Sequence, residues 1–242
     1  HSTRWEEAAG KWTEPMPIDV FPGQKALAVD MHFTPDGDGM FFLGGGAHDL
    51  FVSDGDRHLD LWHSARVTRE GGVGGWQPAT LVPPPISTKA REYYPTVVED
   101  GSLYFTSTRA SSLGGGDIYR AQKLADGSFA EPVNLGAPIN TDASEGDCFV
   151  APDESYLILS ARRPDSVGSS DLYVSFRGDD GSWGETIHMG GWINTEVVEF
   201  CPMVSHDGRF LFFTRRYGDS WAETTNASIF WMDAAVIESL RP

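Results

Sequence analysis

The chain alternates between short apolar runs and clusters of Asp, Gly and Ser, and the apolar runs come in pairs. The clearest pair is YYPTVVEDGSLYFTSTR at 93–109, an apolar strand, a tight turn at Asp100–Gly101 and a second apolar strand, which is the pattern of a β-hairpin. Versions of it stand at 31–46 (MHFTPDGDGMFFLGGG), 148–162 (CFVAPDESYLILSAR) and 201–216 (CPMVSHDGRFLFFTRR). Their turn aspartates, Asp36, Asp100, Asp153 and Asp207, are separated by 64, 53 and 54 residues. A period near fifty residues marks propellers and similar arrays.

Each hairpin is followed by a third β-rich run, at 58–67, 116–124, 170–178 and 228–236. After three of these comes a Gly-aromatic turn that leads into a fourth strand, at 74–82, 127–135 and 181–189. The missing fourth copy stands at the other end of the chain, as GKWTEPMPI at 10–18, where Trp12, Trp76, Phe129 and Trp183 keep the spacing of the turn aspartates. The chain is therefore permuted against its own repeat, as suits a ring of sheets that must hide the edges of its first and last strands. The expectation is an all-β, four-bladed β-propeller whose last blade is closed by the N-terminal strand. Its blades fall at about 26–82, 94–135, 147–189 and 200–236 plus 10–18. An all-β sandwich would leave the matched spacing unexplained.

Composition narrows the partners. The 242 residues suffice for one large all-β domain or two small ones, and the repeat selects one. Eighteen Lys and Arg against thirty-five Asp and Glu give a net charge of −17, which disfavours nucleic acid and anionic membranes and favours cations or basic ligands. No apolar run approaches the ~18–20 residues that cross a bilayer, so membrane insertion is not expected. No signal-peptide pattern opens the chain. Cys148 and Cys201 occupy nearly matching places in two repeats and are expected as free, buried thiols. The Gly-rich stretches at 53–55 and 114–116 are turn chemistry with no helix after them, so an organic cofactor is not expected, and a monomer is.

The motif P-x-[VF]-x-x-DG-x-x-[LF]-[YF]-F-x-[ST]-x-R with a following D-[IL]-Y, carried here by 94–119, 147–173 and 201–230, resembles the TolB-type, WD-repeat-like propeller repeat. The resemblance covers three repeats well and the first poorly. It implies the propeller fold and a periplasmic or secreted setting. It leaves function open, since such repeats serve as binding platforms in some proteins and carry active sites in others.

Eight residues before each turn aspartate stand Glu92, Glu145 and Glu199, with Ala28 in the first repeat; nine residues after stand Arg109, Arg162 and Arg216, with Gly45 in the first. In a blade the first strand leaves one mouth of the channel and the second returns to it, so these charges gather at one mouth. One reading is that they pair and tie the ring together, a role the resemblance also implies. The other starts from blade one, which lacks both charges and instead carries a long loop, 44–58, with His48, Asp49, Asp54, Asp56 and His58, besides His32 in its first strand. Glu92, Glu145 and Glu199 with Asp30, Asp147 or a histidine such as His32 are then candidate ligands of a divalent cation, oxygen donors suiting Ca²⁺ or Mg²⁺ and histidines Zn²⁺ or Mn²⁺. The blade-four loop contributes Tyr217 and Trp221 as candidate pocket walls.

Two functions follow as expectations. One is a metal-assisted hydrolase of esters, lactones or phosphoesters with Glu145, His48 and Arg162 as catalytic residues and Glu92, Glu199, Arg109 and Arg216 contacting a small-molecule, carbohydrate or peptide ligand. The other is a non-catalytic ligand- or protein-binding platform, favoured by the absence of a Gly-x-Ser-x-Gly elbow or a Cys–His pair in a recognisable setting.

Overall fold

The computed structural model describes residues 5–6, 10–12, 14, 18–22, 26–46, 60–69, 72–218 and 226–242. Strands β1 (Trp5–Glu6) and β2 (Lys11–Trp12) form a two-stranded ribbon. Blade one holds β3 (Ala26–Phe33), β4 (Gly39–Gly46) and β5 (Asp60–Arg69), with both β6 (Gly72–Trp76) and β7 (Thr80–Leu81) paired to β5. Blade two holds β8 (Glu92–Val97), β9 (Leu103–Ser107), β10 (Asp117–Ala121) and β11 (Val133–Asn134). Blade three holds β12 (Glu145–Val150), β13 (Tyr156–Ala161), β14 (Asp171–Phe176) and β15 (Ile187–His188), and blade four β16 (Val198–Val204), β17 (Phe210–Tyr217) and β18 (Asn226–Asp233). All neighbouring strands are antiparallel, and the four sheets make a four-bladed β-propeller. The last β-rich run was expected to reach 236; it ends at Asp233, whose carboxylate accepts the N–H of Ala235 at 2.9 Å and opens the short helix α1 (Ala235–Glu238). The AAVIE run favours that helix, and it buries Ile237.

The hairpin turns work as their sequence suggests. Asp36, Asp100, Asp153 and Asp207 each accept the backbone N–H two residues on, at 2.8–3.1 Å. Gly37, Gly101 and Gly208 supply the left-handed residue that follows, and blade three uses Glu154 there, at φ 57°. That strained side chain has a purpose: it accepts hydrogen bonds from Tyr104, from Arg120 Nε at 2.8 Å and from Arg177 Nη1 at 2.7 Å, and so clamps blades two and three. Asp117 and Asp171 cap the turns before the third strands, accepting the N–H groups of Leu113 and Gly114 and of Val167 and Gly168.

Packing differs from seam to seam. Phe41, Leu61 and Ile86 meet Leu103, Phe105 and Tyr119 between blades one and two. Tyr104, Ile118 and Ile139 meet Leu157, Leu159 and Tyr173 between blades two and three. Ile158, Val174 and Ile193 meet Leu211 and Phe213 between blades three and four. Blade one's other face is covered differently, since Met40 and Phe42 close on Ile18, Val20 and Phe21, and Val20 O accepts the N–H of Ala79 at 2.8 Å. Residues 18–21 thus cover blade one as Val82 and Ile86 cover blade two, in keeping with the permuted repeat. The closing strand expected at 10–18 is described only in part: Lys11–Trp12 pair with Trp5–Glu6, and residues 13 and 15–17 lie outside the described residues. Among the described residues β18 pairs with β17 alone, and Met203, Ile229 and Trp231 stay 42 %, 75 % and 64 % exposed.

Candidate functional site

Glu92, Glu145 and Glu199 stand at one end of the innermost strands and are 0 % exposed. The same knot holds each of them. A threonine four residues earlier donates both its N–H and its hydroxyl to the carboxylate: Thr88 at 3.1 and 2.8 Å, Thr141 at 3.0 and 2.6 Å, Thr195 at 3.1 and 2.5 Å. A guanidinium completes it, Arg109 at 3.4 Å, Arg163 at 3.6 Å and Arg215 at 2.9 Å. The same arginines donate to the carbonyls of Ile86, Ile139 and Ile193, which belong to the segment arriving from the preceding blade, at 2.7–2.8 Å. These knots are blade-to-blade ties, and they take up the carboxylate oxygens. The arginine register expected from the sequence is corrected at two of three places: the partner of Glu145 is Arg163, not the exposed Arg162, and that of Glu199 is Arg215, not the buried Arg216.

Two residues further along each innermost strand the channel wall begins. Asp30, Tyr94, Asp147 and Cys201 occupy equivalent positions, again 64, 53 and 54 residues apart, and each has a left-handed backbone with φ of 52°, 50°, 46° and 52°. Each lies where the strand pairing slips, between Val29 and His32, Tyr93 and Thr96, Gly146 and Phe149, and Phe200 and Met203. Such bulges re-aim a side chain, and non-glycine residues at positive φ cluster at functional sites. Here the re-aimed groups meet. Tyr94 donates its hydroxyl to Pro202 O of the opposite blade at 2.7 Å. Asp147 accepts the N–H of Cys201 at 3.3 Å, with the Cys201 thiol 3.8 Å away.

Electrostatics single out the two carboxylates. Burial pushes Asp30 up to about 7, and the charge of Asp147, carried by the opposite blade, adds to the rise. Asp147 is raised by burial to about 6, opposed by the two donors of Cys201. Burial lowers His32 to about 4, so its imidazole is neutral at physiological pH. Burial first, then the two aspartates, pushes the Cys201 thiol well up, which leaves it protonated and a poor nucleophile; both cysteines are free, as expected. A cavity of about 270 Å³ adjoins this ring, lined by Asp30, His32 and Tyr94 of the innermost strands and by Phe212 and Ile229 of the outer strands of blade four.

The predicted metal ligands are not assembled. Glu92, Glu145 and Glu199 sit in three separate knots, Asp147 and His32 belong to the channel, and among the described residues no three His, Cys, Asp or Glu side chains stand together to hold an ion. Tyr217 ends β17 and is exposed. His48, Asp49, Asp54, Asp56, His58 and Trp221 lie outside the described residues. The ring of Asp30, Tyr94, Asp147 and Cys201 is what reading the sequence missed as a unit, although its members share the spacing of the turn aspartates.

No family model and no curated protein sequence matches the chain. Solved structures do. TolB from Acinetobacter baumannii superposes with a TM-score of 0.51 at 14 % identity over 88 % of this chain and 42 % of its own. Inulosucrase from Halalkalicoccus jeotgali, bound to kestose, superposes with a TM-score of 0.50 at 16 % identity over 90 % of this chain and 67 % of its own. The chain thus spans less than half of TolB, and at these identities the likeness speaks to the propeller fold alone. Among the described residues no helix is long and apolar enough to cross a membrane.

Proposed function

We propose that the channel is the active site of a hydrolase that cleaves glycosidic bonds with Asp30 as general acid and Asp147 as the ionised partner carboxylate. The observation that carries this reading is that two carboxylates occupy equivalent bulge positions on opposite blades, where burial raises both above the usual carboxylate range, Asp147 to about 6 and Asp30 to about 7. A pair of carboxylates that holds one proton near neutral pH is the working part of glycoside hydrolysis, one carboxyl protonating the leaving oxygen while the other attacks or activates water. The kestose held by the inulosucrase propeller is in keeping with a carbohydrate ligand. In this chain the N–H and thiol of Cys201 hold Asp147 oriented, and burial, aided by the charge of Asp147, keeps the proton on Asp30. The neutral His32 and Tyr94, whose hydroxyl is committed to Pro202 O, wall the site without contributing charge.

The test is turnover of a panel of nitrophenyl and methylumbelliferyl glycosides. Activity should follow a bell in pH with its maximum between about 6 and 7, the two limbs belonging to the coupled pair. Asp30→Asn and Asp147→Asn should each lower kcat by roughly 10²-fold or more. Full activity in either variant overturns the assignment. Activity abolished by EDTA and restored by Ca²⁺, Mg²⁺, Mn²⁺ or Zn²⁺ would instead support metal-assisted ester, lactone or phosphoester hydrolysis with help from the histidines and aspartates of 44–58. Sugar binding without turnover would support the platform.

A further inference from the structure

We infer that the seam between blades four and one seats an apolar, ring-shaped part of the substrate, so that the chain acts on compounds joining a polar, sugar-like half to an aryl or comparable apolar group. The direction of the bond to be cleaved rests on the acid–base reading of Asp30 and Asp147; the seat itself does not.

Three of the four blade junctions are filled by side chains from both neighbours. At the fourth, the core of blade one turns to Ile18, Val20 and Phe21, and the facing wall of blade four, with Phe212 and Ile229, lines the 270 Å³ cavity. An apolar cavity of roughly 150 Å³ takes up benzene, so this one has room for a fused pair of rings. Its polarity is graded. Asp30, His32 and Tyr94 reach it from the innermost strands β3 and β8, while Phe212 and Ile229 line it from β17 and β18, further out in blade four. A ligand with one hydroxylated end and one apolar end therefore has a favoured orientation: the hydroxyls toward Asp30, where hydrogen bonds replace water, and the rings in the seam, against the apolar side chains of Phe212 and Ile229. The bond between the two halves then lies at the ring of bulge residues, beside Asp30. An extended sugar chain would instead place most of its hydroxyls against Phe212 and Ile229, where Thr214 is the one hydroxyl that β17 and β18 contribute to the lining, which costs affinity.

The seat is testable apart from the chemistry. The probe is 4-methylumbelliferone, titrated by fluorescence into the Asp147→Asn protein, in which turnover plays no part. It should bind saturably, and Ile229→Asp or Phe212→Ala added to that background should weaken binding at least about tenfold, while glucose neither competes nor binds differently. Ile229 is 75 % exposed, so its substitution leaves the melting temperature in place. In the otherwise native protein, kcat/KM for an aryl glycoside should exceed that for the methyl glycoside about tenfold or more, and Ile229→Asp should remove the preference. Umbelliferone binding lost in Ile229→Asp with no turnover of any glycoside upholds the seat and sinks the hydrolase. Turnover that is indifferent to Ile229→Asp, with umbelliferone binding unchanged, sinks the seat and leaves the hydrolase standing.

Discussion

The junction between blades two and three and the junction between blades four and one are built from the same repeat and end up opposite in character. At the first, Leu157, Leu159 and Tyr104 are 0 % exposed, Thr96 donates to Cys148 O at 2.7 Å, and Gly114 lets the turn lie against the next blade: a Cβ there would fall 1.6 Å from Ala143 O. At the second, among the described residues, Ile229 and Trp231 stay exposed, and the space beside Ile229 is a cavity that reaches Asp30. Filling a seam gives rigidity; leaving one unfilled gives access to the channel. The difference teaches that a repeat can supply its framework three times and its opening once, by changing which side chains face the gap.

That contrast can be pressed from its strongest consequence downward. Glu145→Gln should leave the Arg163 guanidinium, only 10 % exposed, without its carboxylate and cost roughly 3–5 kcal/mol in urea unfolding. A loss below about 1 kcal/mol would return Glu145 to the catalytic candidates. Next, Leu159→Ala in the filled seam should cost roughly 2–5 kcal/mol by the same measurement; a near-neutral result would mean that this seam is less tightly packed than its burial implies. Third comes a gain. The folded protein binds Asp30's proton more tightly than the unfolded chain does, since its value is raised from 3.8 to about 7. Wild-type stability therefore falls as pH rises from about 4 to 7. Asp30→Asn should flatten that fall and melt about 2–4 °C higher than wild type at pH 8, with little difference at pH 4; equal melting temperatures at pH 8 would deny that ionised Asp30 strains the fold. Smallest of all, Ile229→Ser on the open seam should change stability by no more than about 0.5 kcal/mol, and a larger loss would show that this wall is covered.

The sequence carried the blades because each hairpin turns on an aspartate that accepts the N–H two residues later, a local device that needs no tertiary help. It carried the glutamates for the same reason of strict spacing. The arginines were harder. In a strand a one-residue offset moves a side chain to the other face, and Arg215 lies directly across from Glu199 in the ladder while Arg216 turns away. In blade three β13 ends opposite Glu145 at Ala161, and the chain reaches the carboxylate two residues later with Arg163. The ring of Asp30, Tyr94, Asp147 and Cys201 was hidden because neither hydrophobic alternation nor turn composition announces a bulge at a residue other than glycine. Only the equal spacing gave it away. The uncovered wall of blade four could not be read from the chain at all, since Phe212 and Ile229 have the alternation of any buried strand.

The left-handed bend at these bulges has one more consequence. It recurs with Asp, Tyr, Asp and Cys alike, so the path of the backbone there is dictated by the ladder on either side and is indifferent to the residue it displays. The four places act as sockets around an axle, into which evolution or an engineer can plug a new set of side chains while the wheel stays true.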